Sequence, residues 1–487
     1  MKYQYIFTKF VSIFFMATIS MFLFSPTGHA EATWTTVGGE EFGIGLDMKI
    51  AFHPVTHDPY VAYEDNANGN KATVKKFNGT SWVTVGTEGF STGQVRNISL
   101  AFDINTSEPY VAYADQSQSF RLSVKRFDGT SWVTVGTDGF TPDVATFSSL
   151  AFHPSTIKPY VAYIDTDHAN KVTVKMFDGT SWVTVGTEGI SIGQPGSLMF
   201  GFSPFNSDPY VAYTDVGNGD KATVKKFNGT SWVTVGIEGF STGLANYISL
   251  AFISNTPYVA YLDASVSSKI TVMKFDGTSW VTVGTPGFSM GEVYSTSLAA
   301  NPSTSQMYVA YRDNGNGDKA VVKQFDGTSW VTVGIEGFTP GTVTSTSLAF
   351  NTLTNEPYMA YGDSLEGKPS RVMKFSEPSV SATSDSSSHH KKKKKSTSPR
   401  TIKNSKSTVS FGDTLVQSGK KFSKKSPIQL YFSKPGGAYY APMTVTTSST
   451  GTFSLSYVVK KPKGTYSWYA IDTKNGKKSK VIRYRVK

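Results

Sequence analysis

No cysteine occurs in the 487 residues. That absence removes disulfides, thiol nucleophiles, Cys-ligated zinc, iron–sulfur clusters and lipid-modified cysteine anchors together. Histidine is scarce, at seven residues, which argues against a His-rich metal enzyme. The G-x-S-x-G, H-E-x-x-H, G-x-x-x-x-G-K-[ST] and G-x-G-x-x-G signatures do not occur in a context that suits them. No catalytic residue, metal or cofactor is therefore expected. Long apolar runs are also missing beyond the N-terminus. The run at residues 10–24 follows Lys2 and Lys9, is broken by Pro26, and precedes Gly28-His29-Ala30. It is shorter than the roughly 20 residues a membrane span needs. This is the pattern of a secretory signal peptide over residues 1–30, cleaved after Ala30. An extracellular, envelope-associated protein is expected.

Aromatic residues make up 14% of the chain and glycine numbers 44, which points to β structure with many tight turns. Self-similarity then decides the architecture. Ser-Trp-Val-Thr-Val-Gly recurs with its tryptophan at Trp82, Trp132, Trp182, Trp232, Trp280 and Trp330, and Trp34 opens a near copy. Between these lies Pro-Tyr-Val-Ala-Tyr-x-Asp or a close variant, ending at Asp65, Asp115, Asp165, Asp215, Asp263, Asp313 and Asp363. The period is 48 or 50 residues. In the third copy four strand-like runs cover 149–152, 160–163, 172–177 and 182–185, bounded by Gly, Pro, Asn and Asp. Asp178-Gly179-Thr180-Ser181 supplies a tight hairpin turn between the last two. Four antiparallel strands and a longer crossing to the next unit are the plan of a propeller blade. The chain opens with a fourth strand at Trp34 and its last repeat stops at a third strand. Joining these ends would close a ring and remove two exposed sheet edges. The expected fold class is all-β: a seven-bladed β-propeller over residues 31–375, closed by the N-terminal strand.

These strings resemble the broad class of secreted bacterial propeller proteins with Trp-containing repeats near 50 residues. Phe-Asp-Gly-Thr-Ser-Trp is also similar to the Asp-box turn of sialidase-like propellers, with the Asp-to-Trp spacing one residue shorter and Asn78 and Asn228 replacing Asp in two copies. The resemblance implies architecture alone, because propellers carry enzymes, lectins and scaffolds alike.

Residues 376–405 read as a disordered Ser/Lys-rich linker that contains Lys391, Lys392, Lys393, Lys394 and Lys395. β pattern returns over 406–487, with strands expected at 428–432, 443–447, 453–459, 466–471 and 481–486. This part resembles bacterial Ig-like domains, which implies a small β-sandwich. Residues 376–487 carry a net charge of +19, whereas 31–375 carry −10. Such a field favours polyanions, among them wall teichoic acids, anionic lipids, acidic polysaccharide and nucleic acid. No nucleic-acid recognition module accompanies the charge, so an anionic cell-wall polymer is the expected partner of the five lysines.

The repeated aspartates fit a turn-stabilising role, paired across the hairpin with lysines such as Lys71 and Lys171. Asn-Gly turns account for the loops at 65–70 and 313–318 without calcium. The tryptophans and the Gly-Phe pairs at Phe90, Phe140, Phe240, Phe288 and Phe338 suit inter-blade packing. The positions that differ between copies are more informative, since function sits on variable loops over a rigid scaffold. They fall just before the repeated Asp and just before the first strand, on one face of the ring. Glu64, Arg96, Phe147, Tyr247, Tyr294 and Arg312 form the candidate ligand site, a set suited to a glycan or a surface protein. Drift in surface loops would produce similar variability. The expected function is non-catalytic binding or adhesion at the cell envelope. The competing classes are a secreted glycosidase or lyase on a propeller, and a structural matrix protein.

Overall fold

The computed structural model describes residues 33–39, 45–363 and 370–376, and towards the C-terminus 401–410, 414–425, 427–432, 443–458, 464–472, 474 and 477–487. The expected signal peptide and the five lysines at 391–395 lie outside the described residues. Among the described residues no helix is long and apolar enough to cross a membrane.

Seven four-stranded antiparallel sheets follow one another through residues 33–376, the arrangement of a seven-bladed propeller. In the second full repeat the strands are Val95–Phe102, Pro109–Asp115, Arg121–Phe127 and Trp132–Thr134, paired in that order. The second strands lie between neighbouring sheets. Pro59–Asp65 is buried at every position, which explains why Pro-Tyr-Val-Ala-Tyr reads as a continuous apolar run instead of an alternating one. Each core is shared by consecutive repeats: Tyr60, Ala62 and Val74 of one pack with Val95, Val111 and Tyr113 of the next.

The Ser-Trp-Val-Thr-Val-Gly string is the fastener between sheets. The Trp132 indole N–H donates to the Val85 carbonyl of the preceding copy at 2.8 Å, and the Trp82 indole does the same to Val37. Phe90 stacks on Trp132 at 4.2 Å, as Phe140 does on Trp182 at 4.6 Å. The closing glycine of the string makes room for this. Gly86 sits at φ 75°, and a Cβ there would lie 2.9 Å from Phe127 and 3.0 Å from Trp132. Gly86→Ala should therefore cost about 2–4 kcal/mol, from positive φ and overpacking together. Gly79, at φ 97° with nothing near its would-be Cβ, should lose less on the same change. Urea denaturation of the two variants checks the difference.

Strand Thr33–Thr36 pairs antiparallel with Arg371–Ser376, Trp34 opposite Phe375, as the fourth strand of the last sheet. The first strand of the first sheet, Gly45–Phe52, touches its counterpart Val343–Phe350 in the last. The Ile50 N–H donates to Ser347 Oγ at 3.1 Å, repeating the link from Leu150 N–H to Ser99 Oγ at 3.0 Å between adjacent sheets.

The C-terminal part holds two sheets around one core. One contains Thr401–Asn404, Thr414–Lys420 and Phe453–Val458; the other includes Ile482–Val486, Gly464–Asp472, Pro427–Phe432 and Met443–Thr446. Trp468, Tyr466, Ile428 and Leu430 of the second face Ile402, Leu415 and Phe453 of the first. The first strand starts at Thr401, upstream of the boundary expected after 405. Its sequence Thr-Ile-Lys-Asn looks like linker because Ile402 alone is buried in it, and its pairing partner begins ten residues later.

Candidate functional site

The seven first strands meet around a cavity of about 660 Å³ at the end where those strands begin. Six of them carry a register shift near their start, for example between Arg96 and Ser99 and between Thr146 and Ser149. The bulged residue adopts a left-handed backbone in five: Asp47, Asn97, Phe147, Tyr247 and Ser295, with φ from 47° to 56°. Asp and Asn tolerate this conformation, whereas a bulky aromatic in it is an outlier. Such strain concentrates where a bulge re-aims a side chain for use. All five line the cavity. Phe147 remains 42% exposed and Tyr247 37%.

Below this crown runs a ladder of hydroxyls. Ser149 and Ser297 accept the N–H groups of Phe200 and Leu348 in the next sheet, as Ser99 does from Leu150. At the same step Lys49 and Met199 replace serine. The walls are thus rich in hydroxyls that retain hydrogen-bonding capacity.

Charge gathers on the arc between the first two sheets. Lys49 Nζ lies 2.6 Å from Asp47 Oδ1, and Asp47 Oδ2 accepts the Ile98 N–H at 3.0 Å. Beside them Glu64 is buried, at 9% exposure. Burial pushes its carboxyl up to about 7, helped by the Asp47 charge and opposed by the Asn97 backbone N–H, Arg96 and Lys49. The Arg96 guanidinium lies over the Phe120 ring at 4.6 Å. It has no hydrogen bond or ion pair among the described residues.

Of the six residues that the sequence pattern singles out, Glu64, Arg96, Phe147 and Tyr247 line the cavity. Tyr294 and Arg312 are not among its lining residues. The Arg312 guanidinium covers Tyr294 at 4.9 Å while its Nε donates to Asp318 at 2.9 Å, and Tyr294 meets Tyr247 edge-on at 5.7 Å. Asp47 and Lys49 are additions from the structure. The first copy reads Lys-Ile-Ala-Phe where four others read Ser-Leu-Ala-Phe, so its variable pair escapes alignment on that string. Comparing this copy with the others position by position would expose both.

The repeated aspartates cap turns. Asp65 accepts the Ala67 N–H and Asn68 Nδ2; Asp313 accepts Gly315 N–H and Asn316 Nδ2, and reaches back to Gly291 N–H in the preceding crossing. The expected pairing with the facing lysine is corrected in part. Asp65 and Lys71 are opposite in register, but the carboxylate is taken up by N–H donors and the Thr73 hydroxyl. The lysines that pair lie further along the third strand, as Lys175 with Glu188 at 2.9 Å and Lys225 with Glu238 at 2.8 Å. The Gly-Phe-Ser-Thr-Gly crossings match the G-x-S-x-G spacing, yet Ser91 is buried as a latch, its Oγ accepting Ala72 N–H and donating to the Gly93 carbonyl. Among the described residues no cluster of three His, Asp or Glu side chains could hold a metal ion.

No family model matches this chain, and no curated protein matches it. Among solved structures, AofleA from Arthrobotrys oligospora is similar at 13% identity over 63% of this chain and 90% of that one, with a TM-score of 0.40. SapL1 lectin, solved in complex with alpha methyl fucoside, shows 16% identity over 61% of this chain and 97% of its own, with a TM-score of 0.43. An Aleuria aurantia lectin variant in complex with Fucalpha1-6GlcNAc shows 14% identity over 60% and 96%, with a TM-score of 0.41. None of these likenesses, at 16% identity or less, assigns a ligand to this chain.

Proposed function

We propose that the protein is an exported, non-catalytic binding protein. Its seven sheets close into a ring through Thr33–Thr36, and the central cavity binds a saccharide. The basic C-terminal part, an Ig-like sandwich in this reading, holds the protein on anionic wall polymers through the five lysines at 391–395 and its other cations. The cavity carries the reading: two exposed aromatics held by bulged backbone, a ladder of hydroxyls, and a guanidinium with no hydrogen bond or ion pair among the described residues converge on about 660 Å³. Aromatic faces and hydroxyl donors are what a sugar requires of a site.

Glycan and wall-polymer arrays probed with the full chain test this, with reducing-end release assayed in parallel. Phe147→Ala combined with Tyr247→Ala should weaken saccharide binding roughly 30-fold, from about 1 kcal/mol per lost aromatic face. Unchanged binding would remove the cavity from consideration. Elution from cell walls by salt supports the tail's electrostatic role, and elution by detergent alone refutes it. A mature N-terminus upstream of residue 31 would refute the assigned cleavage.

One observation favours a second reading. Glu64 and Asp47 share a cavity wall but differ in environment, one buried and pushed up, the other held by Lys49 and a backbone N–H. That division suits the acid and the charged partner of a glycoside hydrolase. Reducing-end release that disappears in Glu64→Gln would establish it.

A further inference from the structure

Lys49 and Arg96 line the cavity, and Arg312 is linked to it through Tyr294 and Tyr247. Lys49 is answered by Asp47 at 2.6 Å and Arg312 by Asp318 at 2.9 Å. Arg96 has the Phe120 ring under it and the Glu64 carboxyl in its field, but no hydrogen bond or ion pair among the described residues. Stacking on Phe120 fixes the plane of its guanidinium while leaving the donor fork open, and that fork matches a carboxylate through two parallel hydrogen bonds. Arg96 also lines the same cavity as the hydroxyl ladder and the two aromatics. Resting on the reading of this cavity as the binding site, we propose that its ligand is an acidic saccharide, the sugar carboxylate seated on Arg96 and a pyranose face on Phe147 or Tyr247.

Glu64 gives the proposal a sign. The charged groups facing it are Asp47 and Lys49 on the first strand of its own sheet and Arg96 on the first strand of the next, with the Asn97 N–H beside them. A ligand carboxylate brought to Arg96 adds negative charge to this group. Glu64 then holds its proton and donates it in a hydrogen bond, because like charges at short range do not both ionise. Binding takes up a proton, so affinity falls as pH rises through the neutral range. A cationic ligand would show the opposite trend.

Calorimetric titration of the full chain with trigalacturonate, its methyl ester, 3′-sialyllactose and lactose, at pH 6 and pH 8, tests this. At least one acidic probe should bind at least tenfold more tightly than its neutral counterpart at pH 6, and lose about tenfold by pH 8. Arg96→Gln should abolish the preference for the acid, with Arg96→Lys intermediate. Glu64→Gln should lose the pH dependence. Equal binding of acidic and neutral probes, an Arg96→Gln protein that melts normally and keeps the preference, or affinity that rises with pH would each overturn the proposal. Binding of neutral glycans alone, lost on removing Phe147 and Tyr247, would overturn the acidic preference and leave the cavity reading intact. No binding of any saccharide would overturn both.

Discussion

Trp34→Ala is expected to lower the unfolding free energy by about 3–5 kcal/mol and to make the protein prone to aggregation. Trp34 is buried, stacks on Phe338 at 4.5 Å, meets Phe375 at 5.6 Å, and donates its indole N–H to the Val333 carbonyl at 2.8 Å. The other tryptophans of the repeat make the same hydrogen bond, but their strands follow the third strand of their own sheet through a short turn, which ties them to it. Thr33–Thr36 is four residues long and has Trp34 as its one buried anchor among those four. Without the anchor the strand should leave Arg371–Ser376, whose edge would then offer unpaired N–H and C=O groups to other chains. Trp182→Ala is the control: a similar loss of packing should destabilise it without exposing that edge. Urea denaturation with light scattering distinguishes the two. A Trp34→Ala protein with an unchanged midpoint would refute the role of Trp34 as the anchor of this strand on the last sheet.

The second large effect depends on pH. Glu64→Gln should stabilise the protein by about 2–3 kcal/mol at pH 8 and by almost nothing at pH 4, since a tenfold change in proton affinity is worth ~1.4 kcal/mol. In the folded chain the carboxyl is pushed from its ordinary 4.5 up to about 7, chiefly by burial. The folded state therefore binds this proton more tightly than the unfolded state, and stability is lost as pH rises from about 4.5 through about 7. The full effect is reduced here because the group keeps some contact with water. Glutamine keeps the shape and the neutral form, so its advantage should grow over that window and level off above it. Parallel stability-against-pH curves for the two proteins would refute the assignment.

Much of this was legible without coordinates because repetition multiplies the signal. One Trp-Val-Thr is weak; seven tryptophans at a period of 48 or 50 residues leave few architectures. The inter-blade role of the Gly-Phe pairs follows from their recurrence, and Phe240 on Trp280 at 4.2 Å is one realisation of it. The pairing of aspartate with lysine is less legible. Both residues occupy facing register positions, but a short carboxylate at the end of a strand finds the N–H groups of its own turn before it reaches a lysine. In the C-terminal part Thr401–Asn404 and Thr414–Lys420 escape a reading by pattern, since polar residues outnumber the few that bury.

The sequence by itself determined the number of repeats, the four-strand plan of each, the turn chemistry and the fastening role of tryptophan, because these depend on contacts within a repeat or on the same contact made repeatedly. The tertiary structure decided which exceptions meet. Asp47, Lys49 and Glu64 join Arg96 across two sheets, and Phe147 and Tyr247 project from bulges that no composition signals. Tyr294 and Arg312 turn to each other and to Asp318. Such meetings are set by the register of strands in separate sheets and by one extra residue at each bulge, which shifts the side chains that follow to the other face.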